Sequence, residues 1–203
     1  MELYVYEGKI EKDILDKALL DLNLTEEDIL FKKEEKKGGL FKSTAYKLTI
    51  IKLTDIQKYL KETLTQMLEE MGLKINFESN IRNKQITIKM FSDNNAILIG
   101  KNGQTLSALT LIAKQAVFNH IGMYPYINLD VENYKDKQIG HLERLAKNIA
   151  REVCETKTSV VMENMNAYER RIVHNVLTTF KGIKTESEGE EPNRHIIVKP
   201  KKD

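Results

Sequence analysis

Cysteine is all but missing from this chain: Cys154 is the one thiol in 203 residues. That excludes an intramolecular disulfide framework and suits a reducing compartment. Proline occurs three times and tryptophan not at all, and neither an internal repeat nor a low-complexity linker is visible. No apolar run approaches the roughly 20 residues that a membrane helix needs. The opening Met1-Glu2-Leu3-Tyr4-Val5-Tyr6 lacks the basic region and apolar core of a secretory signal. The expectation is a cytoplasmic protein that does not span a membrane. An excess of one charge is missing too, since the net charge is only +2. What is present is 41% hydrophobic residues, enough for two or three small cores in a chain of this length.

The charge is unevenly spread. Residues 1–53 carry a net −1, residues 54–134 are neutral, residues 135–184 carry +4 and residues 185–203 carry −1. The basic stretch is therefore 135–184, although such a bias is often no more than a solvated face. Leu3 and Val5 alternate with polar or amphipathic neighbours as in a strand. Ile14, Leu15, Ala18, Leu19 and Leu22 then recur at helical spacing. Gly38-Gly39 separates two expected strands, 29–35 and 44–53. Lys32, Lys33, Lys36 and Lys37 are interleaved with Glu34 and Glu35, which reads as a soluble hairpin.

Thr54-Asp55 is the expected cap of a helix carrying Ile56, Leu60, Leu64, Met67, Leu68 and Met71 on one face, with Gly72 ending it. Strands follow at 73–78 and 85–90 around a turn at 80–84, then an apolar segment, a helix over 104–120 and a strand over 126–131. From Tyr134 a helix runs to about Glu155 through Ile139, Leu142, Leu145, Ile149, Ala150 and Val153. A short strand at 159–163, a helix over 166–180 and strands at 183–188 and 195–199 complete the chain.

Gly100-Lys101-Asn102-Gly103 lies between an apolar helix end and an amphipathic helix start. A polynucleotide backbone approaches a peptide backbone closely only where no Cβ intervenes, and two glycines around two polar residues offer such an opening. The next helix would aim its free amides and positive dipole end at a phosphate. Lys101 adds a point charge, Asn102 donates or accepts, and Gln104 completes the first candidate set. The motif is not a P-loop, which needs four residues between its glycines and Lys-Ser/Thr after them. With Ile99 before the first glycine, Leu106 three residues beyond the second and strands on either side, the segment resembles a KH domain of the type II arrangement. The resemblance implies a loop that clamps a single strand of about four nucleotides. Replacing both glycines by Asp is expected to abolish binding and leave the fold intact.

Arg170 and His174 stand four residues apart and so share a helix face, with Arg171 beside them. Asn166 and Glu169 form a capping-box pair in front of them. The planar Arg fork grips a phosphate bidentately, and His donates to a phosphate oxygen or stacks on a base. Arg194 is the last candidate residue. The stretch 165–174 and the run Thr185-Glu186-Ser187-Glu188-Gly189-Glu190 resemble the single-stranded nucleic-acid-binding domain named for its Arg-x-x-x-His motif.

A KH unit followed by that domain resembles the Jag family, also called KhpB or SpoIIIJ-associated proteins, over nearly the whole chain. Lys37-Gly38-Gly39-Leu40-Phe41 resembles the turn of the family's small N-terminal domain, with two departures: the long linker of many relatives is nearly absent, and Lys42 stands where glycine is frequent. The resemblance implies an α+β protein of three small domains. These are a βαββ-like Jag N-terminal domain (1–53), a type II-like KH domain of order αββααβ (54–134), and a C-terminal domain of two helices on a small sheet (135–203). It also implies bacterial post-transcriptional regulation linked to envelope growth, single-stranded RNA or DNA as ligand, and a second small KH protein as partner.

An enzyme would need an acid–base set or metal ligands. His120, His141, His174 and His195 are scattered without zinc-like spacing, and no serine sits in a nucleophile elbow. No catalytic residue, metal or cofactor is expected. The competing reading is an adaptor whose residues 1–53 dock a membrane-insertion factor peripherally. With 7% aromatic residues, base stacking is sparse and sequence preference should be modest.

Overall fold

The computed structural model describes residues 1–36 and 45–201. The expectations attached to Gly38-Gly39, to the turn from Lys37 to Phe41 and to Lys42 fall outside the described residues. The protein is α+β, and among the described residues helices are interleaved with three small three-stranded sheets. It divides into two compact units, Met1–Glu132 and Asn133–Asp203.

The first unit opens with β1 (Tyr4–Gly8), α1 (Glu11–Leu22), β2 (Ile29–Lys36) and β3 (Ala45–Lys52), an antiparallel sheet of order β1-β3-β2. Ile14 and Ala18 of the helical stripe bury against Ile29, Leu48 and Ile50. Leu3 and Val5 are not the inner face of β1. Val5 is 52% exposed, while Tyr4 and Tyr6 pack on the core opposite Ile50 and Leu48 of the central strand. The phenol rings supply apolar area, and the Tyr4 hydroxyl donates to Glu2 Oε2 at the surface.

α2 (Leu53–Glu70) starts directly from β3 and buries Leu53, Ile56, Leu60, Leu64 and Leu68. The expected cap at Thr54-Asp55 is not used. Both residues lie inside the first turn, and Lys52 holds the cap position without a side-chain hydrogen bond. Met71, expected on the buried face, is the C-terminal cap and is 53% exposed. Gly72 (φ 78°) closes the helix, with its N–H on Glu69 O and the N–H of Leu73 on Leu68 O.

β4 (Ile75–Arg82) and β5 (Gln85–Ser92) form a longer, tighter hairpin than the 80–84 turn suggested. Its two turn residues, Asn83 and Lys84, both have positive φ (50° and 59°), as a two-residue primed turn demands. β5 pairs in parallel with β6 (Tyr126–Val131). Parallel neighbours need a crossover, and α3 (Asn95–Ile99) with α4 (Gln104–Ile121) provides it. Leu106, Leu109, Ala113 and Val117 of α4 are buried, as are Ile86, Ile88, Met90 and Leu129 of the sheet. The corner between α3 and α4 falls on residues 100–103.

The second unit comprises α5 (Tyr134–Thr156), β7 (Val160–Asn164), α6 (Ala167–Leu177), β8 (Ile183–Glu188) and β9 (His195–Pro200), with antiparallel order β7-β9-β8. Leu142, Ala146, Ala150 and Val153 of α5 meet Val173 and Leu177 of α6 and Ile183, Ile196 and Val198 of the sheet. Leu145, expected inward, is 40% exposed. The small Ala146 and Ala150 let the helix lie close, which leaves a neighbouring Leu at the edge. α6 stops three residues before the expected Phe180. The hydroxyls of Thr178 and Thr179 there donate to His174 O and Val176 O, a local alternative to the helix ladder. Among the described residues no helix is long and apolar enough to cross a membrane.

Candidate nucleic-acid interface

α3 ends at Gly100, whose N–H donates to Ala96 O at 2.8 Å and whose backbone adopts φ 69°, ψ −178°. Lys101 to Gly103 make one tight turn, with Asn102 (φ 51°) and Gly103 (φ 77°) both left-handed. This succession turns the chain into α4 within three residues. Lys101, Asn102 and Gln104 are exposed, Gly100 is half-buried and Gly103 is buried. No side chain caps the first turn of α4, so its leading amides are not taken by a capping side chain.

The space beside Gly100 is occupied by the chain itself. A Cβ there would lie 2.2 Å from Thr105 Oγ1 and 2.9 Å from the backbone N of Thr105. Gly100 is thus a packing requirement as well as a turn residue, and the approachable backbone is that of Lys101 and Asn102. The expectation that an Asp pair at both glycines leaves the fold intact is therefore corrected: Gly100→Asp drives a side chain into α4. Nearby Ile97 on α3 (45% exposed) and Leu111 on α4 (67%) are open to solvent.

In the second unit the capping box forms as its residue types require. Asn166 Oδ1 accepts from the N–H groups of Tyr168 and Glu169, and Glu169 Oε2 accepts from Asn166 N–H. This fixes the start of α6 and with it the direction of its next turn. Arg170, Arg171 and His174 project toward Thr185, Glu186 and Ser187 of β8, and Arg194 closes the same open cleft of about 330 Å³.

The four expected residues of this cleft are not equivalent. Arg170 is largely buried, and its Nη1 donates to Met165 O at 2.7 Å and to Glu191 Oε1 at 2.8 Å. It serves first as an internal brace, although it also lines the cleft. Arg171 is exposed and enters no ion pair among the described residues. His174 Nδ1 lies 2.6 Å from Thr185 Oγ1, and Arg194 Nε donates to Ser187 Oγ at 3.0 Å. Thr185 and Ser187 thus orient two candidate ligand groups, although they drew attention in the sequence only as part of a string. Their alternation on one strand face was the signal available.

Glu186 is the anionic member of the wall. Hydrogen bonds from Lys184 and then Lys199 hold its carboxyl at about 2, well below an ordinary glutamate. It stays ionised and is matched by these lysines, of which Lys199 also pairs with Glu188, while Arg171 and Arg194 enter no ion pair among the described residues. The two candidate sets lie in different units, and no part of either set is shared.

A KhpA/KhpB KH-domain family model matches residues 57–126, and the family model of the domain named for the Arg-x-x-x-His motif matches residues 140–200. The RNA-binding protein KhpB of Clostridium symbiosum is 35% identical over 208 residues, covering 100% of this chain and 94% of that protein. The RNA-binding protein KhpB of Bacillus subtilis is 30% identical over 201 residues, covering 96% and 97% respectively. That of Streptococcus pneumoniae serotype 2 is 25% identical over 192 residues, covering 95% of this chain and 57% of that protein.

Proposed function

The chain belongs to the KhpB family, and from that premise we propose that it is a binding protein for single-stranded RNA, not an enzyme, which grips its ligand at two places. In the first, phosphates lie on the exposed Lys101-Asn102 backbone and the uncapped start of α4. In the second, Arg170, Arg171, His174 and Arg194 line the cleft of the C-terminal unit. The observation that carries this reading is the cleft: four cationic or imidazole side chains converge on one open surface, where phosphate contacts from Arg are strongest.

In this reading residues 1–53 are the Jag N-terminal domain, 54–134 a type II KH domain and 135–203 the Arg-x-x-x-His domain. The order helix–strand–strand–helix–helix–strand from α2 to β6 supports the KH assignment. A small KH protein is its partner, in keeping with Leu111 and Ile112 left exposed on α4. The role is post-transcriptional regulation in the cytoplasm, tied to envelope growth.

The test uses the full chain and an unstructured RNA oligonucleotide in a fluorescence polarisation titration. Lys101→Asp with Asn102→Asp reverses the loop charge at exposed positions, and Arg171→Ala with His174→Ala empties the cleft. Each pair is expected to weaken binding about tenfold or more, as loss of charge-assisted phosphate contacts does. The four phosphates of the loop and the cleft are expected to contribute about −3 to the slope of log K on log salt for a single strand. A salt-independent affinity, or wild-type affinity with both pairs combined, would overturn the proposal.

A further inference from the structure

The outer face of α5 is not part of either candidate site. The helix buries Leu142, Ala146, Ala150 and Val153. On the opposite side Lys137, Gly140, His141, Arg144, Lys147 and Arg151 stand at the three- and four-residue spacings that align side chains. All except Gly140 are exposed. Arg144 and Lys147 enter no ion pair among the described residues, and Arg151 bonds only to Asn148 Oδ1, at 3.4 Å. By helical angle Asp136, Glu143 and Glu152 fall on the flanks, and Glu155 stands at the far end. Arg144, Lys147 and Arg151 thus place a cation about once per turn, roughly every 5.4 Å, with Lys137 two turns before them.

Gly140 adds an independent observation. A glycine inside an exposed helix weakens it relative to alanine, yet nothing in the fold asks for one here. A Cβ at Gly140 would meet no atom within 4 Å, and its φ is not positive. What the missing side chain does is lower the helix surface between Lys137, His141 and Arg144. A strand can press there against the helix backbone, with the Arg144 guanidinium beside it.

We propose that this face of α5 is a further RNA-binding surface, which holds the sugar-phosphate backbone of a single strand without reading its bases. Gly140 is the point of closest approach. The inference rests on the RNA-binding reading above and extends it to a surface outside the cleft. An anionic membrane is the lesser fit, because a helix lying on lipid pairs its charges with a bulky apolar face. Here the apolar face is buried, and only Leu145 borders the cations.

The experiment titrates the full chain with unstructured RNA over a range of salt. Arg144→Gln, Lys147→Gln and Arg151→Gln together should lower the salt slope by about 2, at roughly 0.7 per phosphate released, with an unchanged melting curve. Gly140→Ala should raise the melting temperature of the C-terminal unit by about 4 °C, as a mid-helix alanine does, and still weaken RNA binding. A tighter fold that binds worse is what a purely structural glycine would not give. If the unaltered chain binds RNA but the triple variant keeps its slope and affinity, this inference is overturned while RNA binding stands. It is overturned equally if Gly140→Ala binds as well as the parent, or if the triple variant loses only sedimentation with phosphatidylglycerol vesicles. An unaltered chain that fails to bind RNA overturns the underlying reading itself.

Discussion

A side chain added at Gly100 would stand 2.2 Å from Thr105 Oγ1 and would need φ 69°, so clash and backbone strain act together at this one residue. Gly100→Ala is expected to cost about 1–3 kcal/mol, read as a lower urea midpoint, with Thr105→Ala restoring part of the loss. Glu186 gives the residue-scale pH dependence. Its folded pKa of about 2 lies below the ordinary 4.5, so its contribution is complete above about pH 4.5 and is lost as pH falls toward 2. A melting series comparing the parent with Glu186→Gln should show a constant gap from pH 7 to 5 that closes in more acid solution. A gap that closes nearer neutrality would refute the assignment.

At the scale of elements, termini and turns decide more than interiors. The Asn166–Glu169 box sets where α6 begins, and hence which helix face carries Arg171 and His174. Asn166→Ala should cost about 1 kcal/mol and loosen RNA binding without touching a ligand group. The β4–β5 hairpin holds Lys84 at φ 59°, a conformation that costs a non-glycine residue roughly 1–2 kcal/mol. Its exposed pair with Glu26, 2.8 Å long, returns little in water. Lys84→Gly should therefore stabilise the first unit by up to about 1 kcal/mol, measured by chemical denaturation.

For the molecule as a whole, charge placement matters more than charge. A net of +2 would not by itself draw RNA, yet the excess is concentrated in residues 135–184, where α5 and α6 expose it. If the loop and the cleft both bind as proposed, each acts with a raised effective concentration once a single strand reaches both. Lengthening an RNA oligonucleotide should therefore raise affinity in a step, and Lys101→Asp with Asn102→Asp should remove the step while leaving short-RNA binding to the C-terminal unit. A smooth length dependence unaffected by that pair would contradict the two-site reading.

The stripes of α1, α2 and α5, the capping box and the β6 and β8 strands were legible in the amino-acid order, because helical and strand periods and cap chemistry act over a few residues. The glycine pair and the Arg–His spacing marked both candidate sites for the same reason. Contacts between distant positions were not legible: Thr105 filling the space beside Gly100, Glu191 drawing Arg170 inward, Thr185 and Ser187 holding His174 and Arg194, and Tyr4 and Tyr6 displacing Val5 as the inner face of β1. Each depends on which surfaces meet once sheets and helices pack, and no local spacing encodes that. Sequence therefore determined which elements form and which side chains carry charge, while tertiary packing decided which of those charges remain free to meet a phosphate.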